Sequence, residues 1–155
     1  MAQNMTLTSA AFSEGAAIPA KHTCVGADIS PALSWSGAPA GARSLALTVI
    51  DPDAPGKPFV HWLIFNLPAS ATRLAENVPP SSSGPDGSRQ GRNDFDKIGY
   101  GGPCPPPGRA HHYHFTVYAL DSLLDLAGGA REPEFTAAIE GHVLASGELI
   151  GTFAR

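Results

Sequence analysis

Hydrophobic and polar residues alternate along several short runs of this chain. In SLALTVID, Ser44 to Asp51, the residues Leu45, Leu47, Val49 and Asp51 fall on one strand face. In VHWLIFNL, Val60 to Leu67, His61, Leu63, Phe65 and Leu67 share a face, and Pro68 stops the run. In HHYHFTVYAL, His111 to Leu120, one face carries His111, Tyr113, Phe115, Val117 and Ala119; the other carries His112, His114, Thr116 and Tyr118. Weaker strands are predicted over Met5 to Thr8, Ala32 to Trp35 and Glu148 to Phe153. Helical spacing of Phe135, Ala138, Ile139, His142 and Val143 predicts a helix from Glu132 to about Ser146, opened by Pro133 and stopped by Gly147. A shorter helix is predicted over Ser122 to Leu126, ended by Gly128 and Gly129, and Asn77 to Lys97 reads as a long exposed loop. Short strands separated by turns predict a mainly β sandwich or barrel-like core. Neither a repeat nor a composition break divides the chain, so 1–155 is expected to form one domain.

Composition narrows the function. The chain is 43% hydrophobic and 15% charged, enough apolar material for a core and too little charge for a disordered chain. The 17 glycines and 15 prolines are spread out, which fits many turns. A net charge of −4 lacks the basic footprint of a general nucleic-acid binder. Cys24 and Cys104 stand far apart with no CxxC spacing, so a structural zinc site is disfavoured and a single disulfide is left open. The first residues carry no secretory pattern and no run reaches membrane-spanning length. The expectation is a cytoplasmic protein, without stable membrane insertion, whose two thiols are reduced.

Candidate chemistry comes from polar residues at the ends of apolar faces. Asp51, His61 and His111 each occupy such a position. Taken singly, a strand-end aspartate is ordinarily a turn cap and a single histidine a half-buried structural residue. Rigid segments beside the same positions shift that balance: DPDAP begins at Asp51, and GYGGPCPPPG precedes His111. A carboxylate and two imidazoles converging on a cavity would favour small anions. Two alternatives have weaker support. Asp51 with His61 or His111 could act as a general-base pair in a hydrolase, but there is no GxSxG and Cys104 has no activating base near it in sequence. His112 and His114 could chelate a metal as HxH, or simply be surface histidines.

Asp51-Pro-Asp-Ala-Pro55 followed by His61-Trp62, then Gly101-Gly-Pro-Cys-Pro-Pro-Pro-Gly108 followed by His111-His-Tyr113, resembles the two signature regions of the phosphatidylethanolamine-binding proteins. SPALSWSGAPAGARSLALTVIDPDAP, HFTVYALD and GHVLASGELIGTF are similar to the bacterial Raf-kinase-inhibitor-like branch, and the likeness runs from about Ser9 to Phe153. It implies a large antiparallel sheet packed on a smaller one, with a few peripheral helices and a pocket for phosphate, phosphorylated groups or phospholipid headgroups. Asp51 and Asp53 fall on the aspartates of the first signature and His61 on its histidine; Gly102, Pro105 and Pro106 fall on the glycine-proline wall, and His111 and Tyr113 on the second signature. His112 stands where arginine is usual; being on the opposite strand face, it is expected to alter the surface rather than the pocket. The short GKPFV segment before His61 is expected to alter the rim. The likeness further implies a binding or regulatory protein rather than an enzyme, with no cofactor and no catalytic residue. Its expected partners are a small anion and a protein such as a kinase or protease. A homodimer and a cis Ala54–Pro55 bond are also expected.

Overall fold

A computed structural model describes residues 3–155. The strands, in chain order, are β1 (Gln3–Asn4), β2 (Thr6–Thr8), β3 (Leu33–Ser36), β4 (Ser44–Asp51), β5 (Phe59–Pro68), β6 (Arg73–Leu74), β7 (Arg89–Gln90), β8 (His111–Leu120) and β9 (Val143–Phe153). Helix α1 (Glu132–Ile139) precedes β9. A six-stranded sheet has the order β1-β9-β8-β4-β5-β7, and a three-stranded sheet the order β2-β3-β6. Every pairing is antiparallel except that of β1 with β9. The expected large sheet on a smaller one is the architecture found.

Both faces of the large sheet are covered. Leu47, Val49, Trp62, Ile64, Phe115 and Val117 join Leu7, Leu33, Trp35 and Leu74 of the small sheet in one core. On the other face Ala46, Leu63, Phe65 and Leu120 pack against Leu124 and Phe135. This double burial explains why β4 and β5 read as nearly continuous apolar runs.

The alternation expected for β5 is broken by two irregularities. Val49 pairs with Trp62 but Ile50 pairs with Val60, leaving His61 as an extra residue in its strand. A second shift lies between the pairs Leu47–Ile64 and Leu45–Leu67, where Asn66 has φ 58° and exchanges two hydrogen bonds with the Leu124 backbone. The strand phase therefore reverses between the irregularities. Trp62 and Ile64 enter the inter-sheet core, while Leu63 and Phe65 turn to the helix side.

Four other expectations change. The predicted 132–146 helix ends at Ile139, because Gly141 takes φ 79° and residues 143–146 pair with β8. Hydrogen-bonding a long central strand outweighs the helical spacing of His142 and Val143. Residues 122–126 form no helix; they supply the Ser122 carbonyl to Ser44 and the Leu124 backbone to Asn66. The 77–97 segment is not a free loop: Ser88, Gln90 and Asn93 are buried. Gln90 accepts from Trp62 Nε1 at 2.8 Å and donates to the carbonyls of Pro79, Ser81 and Ser83. No peptide bond among the described residues is cis, so Ala54–Pro55 is trans, the isomer that proline itself prefers.

Cys24 and Cys104 are joined as a disulfide, contrary to the expected free thiols. The fold brings their Cα atoms to 5.4 Å, within bridging range. The bond closes a loop of sequence separation 80. Its loss, by Cys24→Ser or by reduction, should lower the unfolding free energy by about 2–4 kcal/mol. Urea unfolding of oxidised and reduced protein measures this; coincident midpoints would show that the bond contributes no stability.

Candidate functional site

Antiparallel pairing of β4 with β8 sets the end of one strand beside the start of the other; Ile50 pairs with His114, leaving Asp51 next to the His111–Tyr113 segment. His111 Nδ1 donates to Asp51 Oδ2 at 2.7 Å. Asp51 Oδ1 accepts the Asp53 N–H at 2.8 Å, a side-chain turn that suits Asp-Pro-Asp. Asp53 faces the other way, accepting from the backbone N–H and ring Nδ1 of His112 at 2.8 and 2.7 Å. These bonds hold the Asp53 carboxyl below its ordinary range. Strand alternation thus sends His111 inward and His112 outward, each to its own aspartate.

His61 reaches the same cavity through the β5 bulge. Its Nδ1 donates to Gly101 O at 2.7 Å, and Gly101 N–H returns a bond to His61 O at 2.9 Å. Burial pushes the ring's pKa down, opposed by the Gly101 carbonyl and the Asp51 charge. The Gly101–Pro106 wall is braced from behind. Gly102 N–H donates to Asp28 Oδ1 at 2.7 Å, Tyr100 Oη donates to His22 O at 2.7 Å, and the disulfide holds Cys104. A Cβ on Gly102 would lie 2.2 Å from His22 O, so only glycine permits this approach. From the front, Arg155 Nε donates to Pro105 O at 2.6 Å.

Asp51, His61, His111, Tyr113, Pro105 and Pro106 all line a pocket of about 200 Å³. Asp53 and Gly102, the other two residues singled out, do not line it; one secures its edge and the other its wall. Sequence reasoning missed Phe59 and Phe95. Phe95 packs edge-on against Phe59 at 4.7 Å and His61 at 5.4 Å. It lies in the segment read as exposed loop, but Asn93 Oδ1 receives Phe95 N–H, and the Asp94 backbone and side chain both bond Val60. Sequence carries one faint signal, an Asn-Asp pair beside an isolated aromatic. Tyr113 lines the pocket; its hydroxyl is buried and has no hydrogen-bond partner among the described residues. Burial and the nearby Asp51 and Asp53 charges raise its pKa strongly.

Among the described residues, no three His, Cys, Asp or Glu side chains gather to hold a metal. His114 pairs with Glu148 at 3.0 Å while His112 pairs with Asp53, so the two rings of HxH take separate partners. No described helix is long and apolar enough to cross a membrane.

Comparison with known proteins places these features in context. The sequence model of a family described as phosphatidylethanolamine-binding protein matches residues 8–154. A UPF0098 protein of Methanothermobacter thermautotrophicus is 52% identical over 151 residues, covering 97% of this chain and 99% of its own length. Another from Aquifex aeolicus is 41% identical, covering 97% and 89%. Among solved structures, the Escherichia coli protein YbcL, described as a member of the mammalian PEBP family, superposes with a TM-score of 0.92 at 34% identity, covering 98% of this chain and 99% of its own. A putative homologue from Chlamydia trachomatis gives 0.89 at 40% identity, covering 99% of each chain.

The depressed His61 pKa has a definite sign in stability. The unfolded chain takes up a proton near the ordinary value of 6.5, before the folded ring does. Falling pH therefore favours unfolding below about 6.5, and this contribution to stability is present above it. Denaturant midpoints measured through that window should fall less steeply for His61→Ala than for the wild type. Parallel curves would mean that His61 titrates alike in both states.

Proposed function

We propose that this chain, which belongs to the phosphatidylethanolamine-binding protein family, binds a small oxyanion group in the Asp51–His61–His111 pocket and acts by binding rather than by catalysis. Phosphate, phosphorylated groups and phospholipid headgroups are the ligands considered. One observation carries the reading: two imidazoles, each anchored through Nδ1, meet an unpartnered tyrosine hydroxyl around one small cavity. A volume of about 200 Å³ suits a headgroup-sized group whose remainder leaves through the mouth. Cys104, the one sulfur at the pocket, is held in a disulfide and offers no thiolate nucleophile.

The Asp51–His111 pair supports a second reading, a hydrolase in which His111 is the general base. A regulated protein partner, such as a kinase or protease, and a homodimer are further parts of the proposal; light scattering at micromolar concentration tests the dimer. A cytoplasmic location requires the disulfide to resist the cellular thiol pool, since cytosol ordinarily keeps such pairs reduced.

Calorimetric titration with phosphate and phosphoethanolamine tests the site. His61→Ala and His111→Ala should each weaken binding by about 1–3 kcal/mol, the range for a hydrogen bond to a charged group. His112→Ala, on the outer face, should change affinity little. Absence of heat at millimolar ligand, or equal affinity in all four proteins, would reject the oxyanion reading. Steady release of phosphate from phosphoethanolamine, lost in His111→Ala, would favour the hydrolase instead.

A further inference from the structure

We propose that the pocket takes its oxyanion in a hydrogen-bearing form, a phosphomonoester or free phosphate whose P–OH donates to an imidazole Nε2, and discriminates against oxyanions that carry no proton. The inference rests on the oxyanion reading above and narrows its ligand class. Its basis is a shortage of donors. His61 Nδ1 faces a carbonyl and His111 Nδ1 faces a carboxylate, at 2.7 Å each. Neither partner can donate to the ring, so both Nδ1 atoms carry the hydrogen. When neutral, each ring then presents Nε2 as a lone pair. A neutral ring anchored in this way cannot donate to the anion.

Apart from the Ala54 and Cys104 N–H groups, the rest of the wall is poor in donors. Pro55, Pro105 and Pro106 line the cavity and have no N–H. The N–H groups of Asp53, Gly101 and Gly102 are directed to Asp51, His61 and Asp28. No lysine or arginine lines the pocket, and a carboxylate does. The groups that set the field around His61 are Asp51 on β4, His111 and Tyr113 on β8, and Asp28 behind the Gly101–Gly102 turn. Arg155 is the nearby cation, with its Nε on the Pro105 carbonyl. Burial keeps His61 neutral to lower pH than usual, and Tyr113 keeps its proton. A bare dianion would therefore face two lone pairs and a carboxylate. A monohydrogen phosphate relieves both conflicts: its P–OH donates to one Nε2, and the Tyr113 hydroxyl donates to one of its oxygens. For a phosphomonoester, whether the shared proton rests on oxygen or nitrogen, the complex holds one proton more than protein plus dianion; the inorganic dianion already bears that hydrogen.

This chemistry separates ligand sources. A phosphodiester headgroup and a sulfate ester each carry one negative charge and no acidic hydrogen at neutral pH. Wild-type protein is titrated at about pH 8, well above the second pKa of a phosphomonoester at about 6, with inorganic phosphate, phosphoethanolamine, glycerophosphoethanolamine and 2-aminoethyl sulfate. Runs in buffers of different ionisation enthalpy give the proton count. The expected result is uptake of about one proton with phosphoethanolamine, little uptake with inorganic phosphate, whose dianion already bears a hydrogen, and affinity for the diester and sulfate ester weaker by about tenfold or more, the value of one charge-assisted bond. The ranking of phosphate against phosphoethanolamine tells a free anion from an esterified one, either of which upholds the proposal. Binding of phosphoethanolamine without proton uptake, or equal affinity for the sulfate ester or the diester, overturns it while leaving the oxyanion reading intact. If none of the four binds, the oxyanion reading itself fails and the inference falls with it.

Discussion

The site depends on one extra residue in β5. A strand that continued the phase of Ile64 and Trp62 would put Val60 on the pocket face and turn His61 toward the helix side, because successive side chains alternate. The register shift between Val49–Trp62 and Ile50–Val60 releases His61 from that alternation. His61 then stands on the same side as Asp51, His111 and Tyr113, which β4 and β8 deliver in regular phase. The second shift at Asn66 restores the phase, so Leu67 again meets Leu45 in the inter-sheet core. Both faces of this sheet are buried, so neither irregularity can slide without exposing a row of apolar side chains.

Around that bulge the polar groups are tied down in pairs. Asp51 uses one oxygen on His111 and the other on the Asp53 N–H. His61 and Gly101 exchange two hydrogen bonds. The loop from His22 to Asp28 does not line the pocket, yet it holds the wall through a carbonyl, a carboxylate and a disulfide. Such a pocket is stiff and leaves few groups free. The free ones, among the described residues, are two Nε2 atoms and one buried hydroxyl.

Proline contributes in two ways. It fixes the backbone of the walls, and it removes the N–H groups on which many anion sites rely. The polar groups left at this cavity are side chains whose hydrogen-bonding sense can change with a single proton. That distinguishes this cavity from a helix N-terminus or glycine-rich nest, whose backbone donors are permanent.

Much of this protein was legible in its sequence. Regular alternation in Ser44–Asp51 and His111–Leu120 defined two central strands to the residue and placed Asp51 and His111 at their pocket ends. The two signature segments identified the family, the two-sheet fold and the wall residues Pro105 and Pro106. Those features are local, set by side-chain period and by residues with restricted backbones. What is not local was decided by the tertiary structure. Residues 143–146 joined β9 because β8 needed a partner along its whole length. Gln90 and Asn93 became buried anchors because Trp62 and the Phe95 loop required hydrogen-bond partners there. Cys24 met Cys104 across a sequence separation of 80, which no spacing rule could announce. His61 entered the pocket by a bulge that depends on β4 as much as on β5, and the direction of its proton was set by a carbonyl 40 positions away. A chain's periodicity determines which residues can share a face; only the packed fold determines which hydrogen-bonding atom of each remains unused.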